Sequence, residues 1–424
     1  MLLSRVCVAL AIADITGAVP APIKHVLHEK RERHSYDWVK GARVESSAVL
    51  PVRIGLTQNN LEKGDEYLME VSNPRSARYG QYWSAEEVHA MFSPSAEAVD
   101  EVREWLHAAG IDRSRVVHSD NKGWLAFDAY AHEAEKLFMT EFYEHRHMST
   151  DGVKIGCDQY HVPEHIQGHV DYITPGVKLT PVVKKHTKAK RASHLAHAKP
   201  NMQVGSAIEC LGPDSKIFNP QYPSNCPYVT SVGGTMLYKD QTVEDAESVM
   251  HVNLGGTATN FSTAGGFSNY FPQPAYQKEA VKKYFEKADL SYPYYSEFSV
   301  DLNTTKGLYN RIGRAYPDAA ANGAQFRAYT NGLDVHYYGS SLASPLFASV
   351  LNLINEERLA IGKGPVGFVN PVLYAFPEVL NDITNGTNAG CGTNGFAAVE
   401  GWDPATGLGT PNYPKLKTLY MRLP

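Results

Sequence analysis

The stretch Tyr338-Gly339-Ser340-Ser341-Leu342-Ala343-Ser344-Pro345 sets a glycine and two serines ahead of a helical apolar pattern, with Leu346, Phe347, Val350, Leu351 and Ile354 in step. The spacing predicts a buried helix with Ser341 at its start and Pro345 in its first turn. A serine there lies at the positive end of the helix dipole, among backbone N–H groups that can stabilise an oxyanion. The same place also suits a serine that merely caps a helix. The local sequence leaves both roles open.

Further upstream, Leu50-Pro51-Val52-Arg53-Ile54-Gly55-Leu56 alternates as a strand does. Ser93-Pro94 opens a helix with Val99, Val102 and Leu106 on one face, and Gly110 stops it. Val116-Val117 and Trp124-Leu125-Ala126-Phe127 read as strands, and Ala131 to Thr140 as a second helix. This strand–helix–strand–strand–helix order predicts a ferredoxin-like unit over about 35–180. Beyond residue 201 short strands alternate with turns. Tyr228-Val229-Thr230-Ser231-Val232 reads as a buried strand ending at Gly233-Gly234, and Ala275 to Lys287 as a surface helix.

Between these parts, residues 184–197 hold Lys184, Lys185, Lys188, Lys190 and Arg191 and no acid. No core absorbs that composition, so the segment is expected to be exposed. It suits a tether, a nucleic-acid patch or a protease-sensitive junction, and cleavage is the reading favoured for a secreted chain. Secretion itself is expected from Arg5 and the apolar run Val6 to Ala13, with small residues near Ala18. Asp14 shortens the run. With that leader removed, Cys157, Cys210, Cys226 and Cys391 remain, and three pairings are open to them. Sequons at Asn260, Asn303 and Asn385 suit a glycoprotein. The net charge of −5 argues against nucleic acid as the main partner. No apolar run reaches the ~18 residues of a membrane span.

The segment Gly339-Ser340-Ser341-Leu342-Ala343-Ser344-Pro345 resembles the G-T-S-x-S-x-P nucleophile segment of the sedolisins, the serine-carboxyl peptidases that include tripeptidyl-peptidases. Ser340 stands in place of Thr, and Ala343 in place of the second Ser. Cys210-Leu211-Gly212-Pro213-Asp214 leading to Cys226 through Thr235 is similar to the family's central strand region. Gly265 through Phe271 is similar to its substrate-cleft segment, Tyr316-Pro317-Asp318-Ala319-Ala320 to the stretch before the nucleophile, and Gly401 through Pro411 to its C-terminal signature. Tyr79-Gly80-Gln81-Tyr82 and Tyr160-His161-Val162-Pro163 resemble its activation prodomain. With the signal peptide expected at 1–18 and the basic processing linker at 181–200, the resemblance implies a ferredoxin-like α+β prodomain at 35–180 and a partial subtilisin-like parallel-sheet α/β catalytic domain at 201–424.

The resemblance further implies that Ser341 attacks the peptide carbonyl. In the family a Glu is the general base, an Asp orients it and another Asp helps the oxyanion. Carboxylates in that role suit acid pH, where imidazole is already protonated. One calcium ion is implied at Asp382, Ile383, Gly401 and Asp403, with Val399 as a further carbonyl. Two turn aspartates beside glycines also occur without any metal. The implied partners are polypeptide substrates and the chain's own prodomain as intramolecular inhibitor and chaperone; a monomer with no nucleic acid or membrane partner is expected.

One part of the pattern is missing. The family's E-x-x-x-D belongs early in the catalytic domain, where this chain runs from Ala198-Lys199-Pro200 directly into Asn201-Met202-Gln203-Val204-Gly205-Ser206. Asn201 falls at the place of the oxyanion Asp. Glu244, Asp245 and Glu247 read as solvated, and Asp334 and His336 precede Ser341 only in sequence. Two readings follow: an acid peptidase zymogen whose sequence lacks an internal stretch, or a pseudopeptidase that binds peptides or a related peptidase.

Overall fold

The computed structural model describes residues 24–31, 38–148, 152–179, 210–214, 216–220, 222–253 and 260–424. The expected leader, the basic stretch 184–197 and Asn201 lie outside the described residues. The chain divides into two compact units: Met1–Glu62 with Trp83–Ala189, and Lys63–Tyr82 with Lys190–Pro424.

The first unit is built on a four-stranded antiparallel sheet. In order across the sheet the strands are Val117–His118, Trp124–Tyr130, Val49–Leu56 and Val170–Thr174. Val49–Leu56, the first of the four in the chain, is thus central, as a split β-α-β unit requires. Its alternation buries Leu50, Val52, Ile54 and Leu56. At about 1.5–3 kcal/mol for each buried aliphatic side chain, that row is a large share of the unit's stability. Helix Ala96–Ala108 covers the sheet with Val99, Val102 and Leu106, and helix Ala131–Phe138 with Ala134, Leu137 and Phe138. The first of these starts after Ser93-Pro94 because Ser95 is its N-cap, its hydroxyl accepting from the Ala98 N–H at 3.1 Å. A second, three-stranded sheet joins Trp38–Arg43, Tyr143–His147 and Val153–Gly156.

The second unit carries a smaller parallel element. Val232–Met236 pairs in parallel with Ala319–Asn322 and antiparallel with Ser248–Val249. Helix Ser340–Ala360 packs on this sheet through Ala343, Phe347 and Ile354, all buried. Its opposite side exposes Leu346, Leu353 and Leu359. A helix apolar on both sides is the pattern of one covered all round, and here only one side is covered among the described residues. Beside the sheet lies an aromatic core. The ring of Phe267 lies 5.3 Å from Tyr309 and 5.4 Å from Phe396. Of the three possible cysteine pairings, the structure makes Cys210–Cys391 and leaves Cys157 and Cys226 as free thiols.

Two local expectations are corrected. Tyr228 to Ser231 is not strand; the strand begins at Val232. Side chains bind several of its backbone groups, and the Ser231 carbonyl accepts from the Asp318 N–H at 2.8 Å. The Val229 carbonyl accepts from Asn370 at 3.1 Å and Arg314 at 3.3 Å, and the Ser231 N–H donates to Asp318 at 2.8 Å. Pro345 is not in the first turn but is the sixth residue of a helix that begins at Ser340. With no N–H of its own, it leaves the Ser341 carbonyl without the usual helical donor.

Candidate active site

Gly339 caps the helix at φ +145°, a backbone geometry that side-chain-bearing residues rarely adopt. Its N–H donates to the Gly323 carbonyl at 2.7 Å, which ties the turn to the end of strand Ala319–Asn322. The sheet therefore fixes where the helix starts, and the turn places Ser341 on an exposed first turn. Ser341 opens onto a cavity of about 260 Å³. Ser340 and Ser344 share its helical wall; Ser224, Thr230, Ser231 and Tyr316 line the other side.

That other side is held by a buried ion pair. Arg314 and Asp318 are both fully buried, with guanidinium and carboxylate 2.6 Å apart. Burial opposes the charge on Arg314, but the Asp318 carboxylate beside it outweighs this and raises its pKa further above the ordinary arginine value. Arg314 also donates to the carbonyls of Cys226 and Val229, while Tyr374 donates to Asp318 at 3.2 Å. The pair therefore holds residues 226–231, of which Val229, Thr230 and Ser231 line the cavity. The sequence reading missed Arg314. Its one available signal was a basic residue two positions before the Tyr316-Pro317-Asp318 motif.

The other acids and the nearby histidine point elsewhere. Asp334 forms an ion pair with Arg327 at 2.8 Å, and His336 hydrogen-bonds Gln325 at 2.8 Å. Asp245 accepts from Thr242, and Glu244 is exposed. Glu247 is half-buried, contrary to its expected solvation, and accepts from the Thr235 hydroxyl at 2.9 Å. Among the described residues no carboxylate and no imidazole lines the Ser341 cavity.

Of the residues expected to hold calcium, Asp382, Ile383 and Gly401 meet through backbone hydrogen bonds, and Asp403 has its own donors. Asp382 accepts from the Gly401 N–H at 2.7 Å, and Gly401 turns at φ +93°. Asp403 is fully buried and accepts from the N–H groups of Ala405 and Thr406 and from the Thr406 hydroxyl. Burial pushes its carboxyl up to about 8 despite those donors. For Asp382 too, burial raises the pKa against its backbone donors. Two buried carboxylates are oxygen donors of the kind calcium takes, so the donor chemistry of Asp382 and Asp403 is compatible with that ion.

The whole chain aligns with the tripeptidyl-peptidase sed1 of Aspergillus fumigatus, 31% identical over 653 positions that cover 100% of both chains. The chain belongs to the sedolisin family. As a sedolisin it is a serine-carboxyl peptidase, and residues 36–179 match the pro-kumamolisin activation domain, so the enzyme is made as a zymogen. It is also 32% identical to aorsin of Aspergillus oryzae over 630 positions, covering 94% of this chain and 96% of that protein. Pseudomonas sedolisin, a serine-carboxyl proteinase solved with two molecules of pseudo-iodotyrostatin, shares 26% identity, with coverage of 47% and 48% and a TM-score of 0.35. The pairing with sed1 takes 653 positions, whereas this sedolisin has 424 residues; at least 229 of those positions have no residue here.

Proposed function

We propose that the protein is the zymogen of a secreted, monomeric peptidase that hydrolyses polypeptides at acid pH, with Ser341 as nucleophile. The observation that carries this reading is the placement of Ser341, exposed on the first turn of a 21-residue helix at the edge of a 260 Å³ cavity. Ser341 Oγ attacks the scissile carbonyl, and the positive end of the helix dipole favours the oxyanion. Removal of the Oγ proton needs a base, which in the family is a Glu. Among the described residues the cavity has no carboxylate, which supports assigning the base and its Asp partner to a stretch this chain lacks. Calcium, held by the carboxylates of Asp382 and Asp403 and the carbonyls of Ile383, Gly401 and Val399, would neutralise the two burdened acids and stiffen the C-terminal turns.

A second reading is supported by the same empty lining and by the exposed leucines of helix Ser340–Ala360. On that reading the chain is a pseudopeptidase that binds peptides or a related peptidase. Acid-pH peptide hydrolysis separates the two. The chain completed with the missing stretch is expected to turn over peptides, and Ser341→Ala to lose on the order of 10⁶-fold. An active Ser341→Ala enzyme removes Ser341 from the mechanism.

A further inference from the structure

We propose that residues 63–82 are the strap by which the activation domain grips the catalytic unit, with Tyr82 seated on Gly367 as its anchor. The activation-domain match runs through 36–179 without a break, yet 63–82 belong to the second compact unit, while the residues before and after them build the first. Tyr79 is 4% exposed and is part of the aromatic core of the second unit. The Tyr82 hydroxyl donates to the Val366 carbonyl at 2.9 Å. A Cβ on Gly367 would lie 2.2–2.4 Å from two ring carbons and the hydroxyl oxygen of Tyr82, and Gly367 itself turns at φ +67°. Position 367 therefore needs glycine both for its backbone and for the ring that rests on it.

The strap is shaped to present these two tyrosines. Gly80, at φ +78°, turns the chain between them, and its N–H donates to the Val71 carbonyl at 3.0 Å. Arg78 pairs with Glu70 at 3.1 Å across the same turn. On the receiving side, Arg358 is 1% exposed. It donates to the carbonyls of Gly364 at 2.7 Å and Leu423 at 3.2 Å, and to those of Tyr420 and Pro424. Its positive charge acts on the Tyr79 and Tyr82 phenols, although burial dominates both and raises them. At the other end, helix Gly64–Ser72 packs on helix Asn370–Ala375. Asn370 hydrogen-bonds Thr230 at 2.7 Å, and Thr230 lines the Ser341 cavity. The strap thus follows the elements that build one wall of that cavity. A tyrosine-bearing turn in a glycine-floored slot is a specific, non-covalent hold, and it survives a cut at the basic linker.

The biological meaning of this hold rests on the zymogen reading, but its test does not depend on activity. In the full chain, residues 188–191 are replaced by the site of a specific endoprotease, the chain is cut, and the fragments are run by size exclusion. The unmodified interface is expected to keep the two fragments in one peak. Gly367→Leu and Tyr82→Ala are each expected to separate them or to raise the dissociation constant at least tenfold. Tyr82→Phe, which keeps the ring, is expected to stay close to the parent. Circular dichroism of the uncut variants checks that both units remain folded. If the parent fragments separate on cutting, or if folded Tyr82→Ala stays in one peak with unchanged affinity, the strap is not the grip. A failure of the peptidase reading would appear in the hydrolysis assay and leave this result untouched.

Discussion

Arg314 and Asp318 show how much of the site depends on residues that never meet a substrate. Their charges are removed from water and matched to each other, so truncating one strands the other. Arg314→Leu is expected to destabilise the second unit by about 3–5 kcal/mol. Thermal unfolding followed by circular dichroism measures this, and an unchanged midpoint would contradict the role assigned to the pair. Asp382 and Asp403 make a different residue-scale case, because burial raises both carboxyls and the proposed calcium ion would relieve them. Calcium at about a hundred times its dissociation constant is expected to stabilise the second unit by about 2.7 kcal/mol. Chelation should lower the melting temperature by several degrees, and Asp382→Asn should abolish the difference. A melt indifferent to both calcium and chelator would remove the ion.

At the scale of elements, the three-stranded sheet of the first unit contains an acid-sensitive position. His145 is 2% exposed on its central strand, with Lys40 opposite on one side and Lys154 on the other. Its Nδ1 bonds the Tyr143 carbonyl at 3.1 Å, and its Nε2 has no hydrogen-bond partner. Burial, then the charge of Arg31, lower its pKa below the ordinary 6.5, against a weaker opposing pull from Asp158; Lys40 also lowers it. The folded unit therefore holds a neutral imidazole that the unfolded chain protonates first. The stability this contributes is complete above about pH 6.5 and falls as pH drops towards the lowered folded value. The urea midpoint of the first unit is expected to fall on acidification through this window, and His145→Phe to flatten that fall. An equal fall in the variant would assign the effect to other groups. The elements also show what local sequence conveys. The alternation from Leu50 to Leu56 predicted a strand correctly because inward and outward faces obey a period of two. Tyr228 to Ser231 misled because its apolar character serves a cavity wall, and side chains distant in sequence take its backbone bonds.

For the whole molecule, the family and its prodomain could be read from motifs in order, and the sequence comparisons bear out that membership. The place of Ser341 at a helix start was legible, since a glycine, a serine and an apolar period stand together, although the helix takes in Ser340 and Ser341 themselves. The strap was not legible. Tyr79-Gly80-Gln81-Tyr82 reads as part of the prodomain, and only the tertiary fold puts it in the other unit. Arg314 was hidden for the same reason, since a buried arginine has no local signature. The break near residue 200 was visible as a missing E-x-x-x-D, and among the described residues it has two physical counterparts: a serine cavity without a carboxylate, and a helix that exposes leucines. Both fit a catalytic domain from which an internal stretch is absent. Sequencing the transcript across the codons for His186 to Gly212 tests this most directly. The account predicts an inserted stretch that carries E-x-x-x-D. A transcript that runs straight from Pro200 to Asn201 would contradict it and leave the chain a binding protein.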